Sequence, residues 1–260
     1  MQKILLILIT VLLSLSGFSQ TRKREKQEEK RNHKNSLIRQ EEEGVIAYKK
    51  SLIFGAKLTN DGYGVFFELG KASSVKKSML YQLEIAERKS TKEEKLSNLI
   101  YNSSPFVYGK INYFYPVKLG VQQQILLGNK SNKNGVSITG NYGGGISAAL
   151  LRPYYIQVAQ GNQLVFIKYN SADSTQFLNP NNIYGGPTFS KGWSDVTVTP
   201  GVYAKAALRF DYGAYNEVVS AIEIGITGEY YSKKIPQMVY NKEKQFFFGA
   251  YFSLLFGRRK

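Results

Sequence analysis

QFFFGAYFSLLFGRR, residues 245–259, holds the key to this chain. Alternation puts Phe246, Phe248, Ala250, Phe252, Leu254 and Phe256 on one face. Gln245, Gly249 and Ser253, with Phe247 and Tyr251, fall on the other. A period of two is strand geometry. A strand face this apolar needs either a packed layer over it or a solvent other than water.

The same texture runs upstream. From about residue 47 the chain is rich in Tyr (19), Phe (15) and Gly (24), and no segment sustains a helical period. Strands are expected near 48–59, 62–72, 77–88, 107–121, 135–151, 199–211, 216–231 and 245–257. The seventh sets Val218, Ile222, Ile224, Ile226 and Tyr230 against Glu217, Glu223, Thr227 and Glu229. The sixth sets Val202, Ala204, Ala206, Leu208 and Phe210 against Lys205, Arg209 and Asp211. Eight long two-faced strands in an open sheet would leave two unpaired edges, so closure is expected. The fold class is all-β: an eight-stranded antiparallel up-and-down transmembrane β-barrel with a charged N-terminal extension.

Connection lengths agree with this. Even-numbered gaps are short, whereas three of the four odd ones are long, about 89–106, 152–198 and 232–244. The exception is the tight hairpin Asn60-Asp61-Gly62. Long loops on one rim and short turns on the other is the asymmetry of outer-membrane barrels. Pro116 conflicts with the fourth strand, because it lacks a ladder donor. Either a bulge lies there or that strand's limits are misplaced.

Three features turn the apolar face outward. The strands are long enough for a tilted bilayer crossing. The polar face mixes glycines (Gly55, Gly64, Gly70, Gly143, Gly145) with charges of both signs, as a narrow lumen requires. Tyr63, Tyr81, Tyr113, Tyr115, Tyr142, Tyr230 and Phe256 lie on the apolar face, several near strand ends, as interfacial girdles do.

The N-terminus adds an export signal. Met1-Gln2-Lys3 is a short positive region, Ile4–Leu15 is apolar apart from Thr10 and Ser14, and Ser16-Gly17-Phe18-Ser19 offers a cleavage site. Residues 1–19 are therefore expected to be a signal peptide. Residues 20–46 form a charged periplasmic tether, and 47–260 form the barrel. The 35 basic against 19 acidic residues, +16 overall, would suggest nucleic acid in a cytosolic protein. After export they point instead to outer-membrane lipid, to lipopolysaccharide phosphates or to an acidic envelope protein partner.

With leader, alternation and aromatic last strand together, the chain resembles small outer-membrane barrels of the OmpA/OmpX type. The run GKINYFYPVKLGVQQQILLGNKSNKNGVSITGNYGGGISAALLRPYY (109–155), with IPQM (235–238) and the final FGRR (256–259), is similar to a barrel group of Bacteroidota envelopes. The resemblance implies architecture and recognition of the last strand, through Phe246, Phe248, Phe252 and Phe256, by barrel assembly machinery. It carries over no reaction.

Composition excludes several chemistries. There is no cysteine, hence no disulfide, thiol catalysis or cysteine-bound metal. The one histidine, His33, lies in the tether, so no Ser-His mechanism or histidine metal site is expected in the barrel. GNYGGG (140–145) has no following helix and reads as close strand packing, not a phosphate loop. No catalytic, cofactor or metal residue is assigned. Inward charges are expected to pair as a lumen ion network, because buried charge must be compensated. Its members are Lys57, Glu68, Glu84 and Lys118 in the first half of the barrel, and Lys205, Arg209, Glu223 and Glu229 in the second. The loop near 152–198 contains LVFIKY (164–169), suited to a small hairpin, and offers Phe177, Tyr184, Phe189 and Trp193 as a contact surface. The function expected is a non-enzymatic structural or interaction subunit. A lipid-modifying enzyme without histidine and a narrow channel are the alternatives.

Overall fold

Thirteen strands appear among the described residues of the computed structural model. These residues are 49–74, 76–97, 104–130, 135–170, 174–213 and 217–260, with 28–29 and 31–32 besides. The expected signal peptide and nearly all of the expected tether, His33 included, lie outside them. The strands are β1 Lys50–Thr59, β2 Gly62–Ser74, β3 Lys77–Arg88, β4 Lys95–Leu96, β5 Phe106–Val107, β6 Asn112–Gly128 and β7 Ser137–Pro153. There follow β8 Tyr155–Gln160, β9 Gln163–Lys168, β10 Ile183–Gly185, β11 Thr197–Asp211, β12 Val218–Ile235 and β13 Lys244–Arg259.

Eight of them close a barrel in the order β1-β13-β12-β11-β7-β6-β3-β2. Each is antiparallel to the next. The seam is β1 against β13, paired from Ser51↔Arg259 to Thr59↔Tyr251. Closure leaves no edge in this sheet.

Alternation sets the two faces. Outward positions such as Ile146, 65% exposed, and Phe246, Phe248 and Phe256 form a predominantly apolar exterior. Their sequence neighbours Ser147, Phe247 and Leu255 are buried. Where space is short the inward position is glycine. At Gly55 a Cβ would stand within the ring of Phe66, and at Gly249 it would come 2.6 Å from Asn60 Oδ1.

The fourth barrel strand differs from expectation. It runs 112–128 instead of 107–121, because Gly109 (φ 67°) turns the chain after β5. The tract Val121–Ile125 continues as strand, with Gln122 and Gln124 buried in the lumen. Pro116 lies within it and no bulge forms there. The β3–β6 register runs from Lys77↔Ile125 to Ile85↔Val117 and resumes at Arg88↔Phe114 without slipping. The missing N–H costs ladder pairs on one side only, since Pro116 remains opposite Ala149 of β7.

Connections on the terminal rim are short, and those on the opposite rim build a cap. There β8, β9 and β10 form a three-stranded sheet, order β10-β8-β9, and β4 pairs with β5. LVFIKY supplies most of β9, hairpinned to β8 across Gly161 (φ 63°). The cap has its own core of Phe106, Tyr154, Ile156, Val158, Phe177 and Ile183, joined by Met238 from the last long loop. β12 and β7 run past their expected ends, so the last two of these loops are shorter than the sequence suggests, at 236–243 and 154–196.

Candidate functional site

The lumen is filled in three storeys. Nearest the terminal rim, Ile53, Phe66, Val219, Ala221 and Leu255 form an apolar plug. Nearest the cap, Phe114, Tyr231 and Phe247 meet edge-on or tilted, with centroids 5.2 to 5.9 Å apart. Charge lies between and among them.

The barrel brings all eight expected network residues inside. Arg209 grips Glu68 with two hydrogen bonds, 2.8 and 2.9 Å, and bonds Glu223 through Nε at 2.9 Å. Arg209 and Glu223 stand directly opposite on β11 and β12. Glu223 also accepts from Lys205 (3.2 Å), Tyr251 (2.8 Å) and Asn141 (2.8 Å). Lys57 and Lys118 share Glu84 at 2.9–3.0 Å. Lys118 continues to Glu229 at 2.6 Å, and Arg88 joins Glu229 (2.9 Å) to Asp61 (2.6 Å).

Five cations thus meet four glutamates and, at the mouth, Asp61. Compensation near one-to-one is what burial of charge demands. Tyr251 adds a second service, since Lys57 Nζ sits 4.0 Å from the centre of its ring. Alternation alone could assign Arg88 and Gln82 inward. It could not show that Gln82 receives both Gln122, its diagonal neighbour on β6, and Lys205, which reaches it across the lumen from β11.

The four expected contact residues separate. Phe177 is buried in the cap core, 1% exposed, and stacks edge-on with Tyr169, so it belongs to no contact surface. The single helical turn Ser174–Phe177 turns it inward. Tyr184 is half-buried in β10. Phe189 is 80% exposed and packs edge-on against Trp193. Trp193 in turn stacks on Tyr115 of β6, 5.7 Å between centroids. Arg152 is clasped between Tyr113 (4.1 Å) and Trp193 (4.7 Å), and donates to the Phe189 carbonyl at 2.7 Å. Tyr113 and Tyr115, expected among the girdle residues, are therefore half-covered by the cap. Tyr63, Tyr81, Tyr142 and Tyr230 are about half exposed on the outer face.

The cap is anchored by two buried polar links. Tyr154 accepts a hydrogen bond from the Val107 N–H at 2.8 Å, and burial pushes its phenol above the ordinary value. Lys110 donates to Glu93 at 2.8 Å and lies 4.3 Å above Tyr113; burial pulls its ammonium down while Glu93 opposes the shift. On the surface, Asp195 accepts from Tyr155 and from Lys168 (3.0 Å), which holds its carboxyl below the usual range.

A cavity of about 360 Å³ opens at the mouth, between the β1–β2 hairpin, the chain after β3 and the chain before β13. Arg88 and Asp61 form its floor, and Lys89, Lys92, Lys242 and Lys244 surround it. Among the described residues, no group of three or more His, Cys, Asp or Glu side chains is placed to hold a metal ion.

No protein-family model and no curated sequence matches this chain. No sequence match therefore supports a family for the 109–155 run. Among solved structures, the N-terminal β-barrel domain of Pseudomonas aeruginosa OprF is 8% identical, with 81% of this chain and 98% of that one covered, TM-score 0.36. Neisserial surface protein A is 8% identical over 81% and 96%, TM-score 0.40. Ail, the attachment invasion locus protein of Yersinia pestis, determined with the heparin analogue sucrose octasulfate, is 10% identical over 81% and 99%, TM-score 0.36. The likeness is to small eight-stranded outer-membrane barrels and is one of fold alone; the closed ring rests on this chain's own strand pairings.

Proposed function

We propose that this chain is an integral outer-membrane barrel that works without catalysis, as a structural or interaction subunit of the cell envelope. The observation that carries the reading is the inversion of its two faces. Aliphatic and aromatic side chains cover the outside, whereas the ion pairs are buried within. A water-soluble barrel would place these faces the other way round. A ring of eight strands filled by cross-lumen ion pairs and aromatic layers leaves little room for water, which favours an anchor over a channel. The cap, with its own core and the exposed Phe189 and Trp193, is the part offered to a partner.

The test is envelope fractionation with a chain tagged after residue 260, comparing the full protein with one whose residues 154–196 are replaced by a short turn. The reading expects both to sediment with the outer membrane, a stoichiometric partner to copurify only with the first, and neither to conduct in planar bilayers. A clean monomer whose loss alters envelope lipid structure would contradict it in favour of an enzyme.

A further inference from the structure

The mouth cavity has a basic rim and a polar lining. Its lining has one carboxylate, Asp61, and Arg88 already holds Oδ2 of that group at 2.6 and 2.8 Å. Arg88 itself is fixed, since it also meets Glu229 at 2.9 Å and lies 5.1 Å over the ring of Phe247. The exposed Lys89, Lys92, Lys242 and Lys244 stand around this floor. Glu87 approaches Lys89 at 3.9 Å, while Lys92, Lys242 and Lys244 have no carboxylate partner among the described residues. The Lys89 ammonium is partly engaged, since it also lies 5.1 Å over the ring of Tyr63, but Lys92, Lys242 and Lys244 lining one concave site leave an unspent positive field, and point charges of this kind suit phosphate.

Two further features narrow the ligand. Asn60, Thr91 and Gln237 line the same cavity and supply amide and hydroxyl groups that match a polyol. The two walls are held together by Asn241 donating to Ser90 at 2.9 Å. Phe246 and Phe248, each 59% exposed on the apolar exterior, also border it, so the cavity is continuous with the outer face of the barrel. Its volume is at the lower end of small-molecule sites.

We infer that this cavity binds a phosphorylated sugar headgroup, with the attached acyl chains running down the barrel over Phe246 and Phe248. The headgroup chemistry stands on the cavity alone. The lipid source of that headgroup rests on the membrane reading above, and a free sugar phosphate has the same polar chemistry.

The experiment uses the full mature chain in detergent micelles, with diphosphorylated lipid A and glucose 6-phosphate as probes, read by native mass spectrometry and titration calorimetry. Lys89, Lys92, Lys242 and Lys244 are changed together to Gln in one variant. A control removes the same charge from the other rim, with Lys50, Lys71, Lys77 and Arg258 changed to Gln. All eight are exposed, so both variants should fold. The expected result is lipid A binding weakened about tenfold or more by the cavity variant and by less than about twofold by the control, with glucose 6-phosphate competing only weakly. Equal losses in both variants, or none in either, would overturn the site. Glucose 6-phosphate binding as tightly as lipid A, and lost in the cavity variant, would overturn the lipid source. If the membrane reading itself failed, the chain would not enter bilayers, yet glucose 6-phosphate would still bind.

Discussion

Glu223 carries more of the lumen than any other side chain. It is fully buried and accepts from Arg209, Lys205, Tyr251 and Asn141 at once. Glu223→Gln keeps the shape but leaves Arg209 with Glu68 as its one paired carboxylate and Lys205 with none. Removing one partner of a buried charge typically costs about 3–5 kcal/mol. Urea unfolding in detergent or liposomes should show a loss of that size, and a loss under about 1 kcal/mol would mean that water already screens the network. Gly55 answers a different constraint. Gly55→Leu drives a side chain into Phe66, and overpacking of this kind costs about 1–3 kcal/mol; the same change at the outward Ala56 should be nearly neutral by the same measurement.

Strands were legible where both faces declared themselves. In β11 and β12 aliphatic outward positions alternate with inward ones that include Lys205, Arg209, Glu223 and Glu229, in β13 large apolar outward residues alternate with Gly249 and Ser253 among the inward ones, and the expected and observed limits differ by at most a few residues. In β6 they do not, because Gln122 and Gln124 fill the lumen with neutral polar groups that read like a turn, and Gly109 separates two short apolar runs that read like one. The lumen charges were legible because each is polar at an inward position. Phe177 and the mouth cavity were not, since neither a cap core nor a meeting of three loops leaves a periodic trace. The cap should behave as a unit of its own. Tyr154→Phe strands the Val107 N–H in that core, at about 1–3 kcal/mol. Hydrogen exchange should quicken in 104–110 and 154–158 while the barrel strands stay protected. The surface cluster at Asp195 adds an acid limit. Its folded value lies below the ordinary 3.8, so its contribution is complete above 3.8 and is lost as pH falls below it. Proteolysis of the 154–196 connection should therefore rise in that range, and Asp195→Asn should show the raised rate already at neutral pH.

The ring as a whole is an inside-out protein, with charge as its core and hydrocarbon as its expected solvent. Its closure rests on β13, whose inward Tyr251, Ser253 and Leu255 pack into the lumen while Phe252, Leu254 and Phe256 face away. The chain has no cysteine, so single thiols can be introduced without background. Fluorophore-labelled Phe252→Cys, Ile226→Cys and Val202→Cys should be quenched strongly by lipids brominated along their acyl chains and hardly by iodide in the water. Labelled Phe189→Cys in the cap should show the reverse. Iodide quenching at the three barrel positions, with no effect of the brominated lipids, would contradict the membrane account.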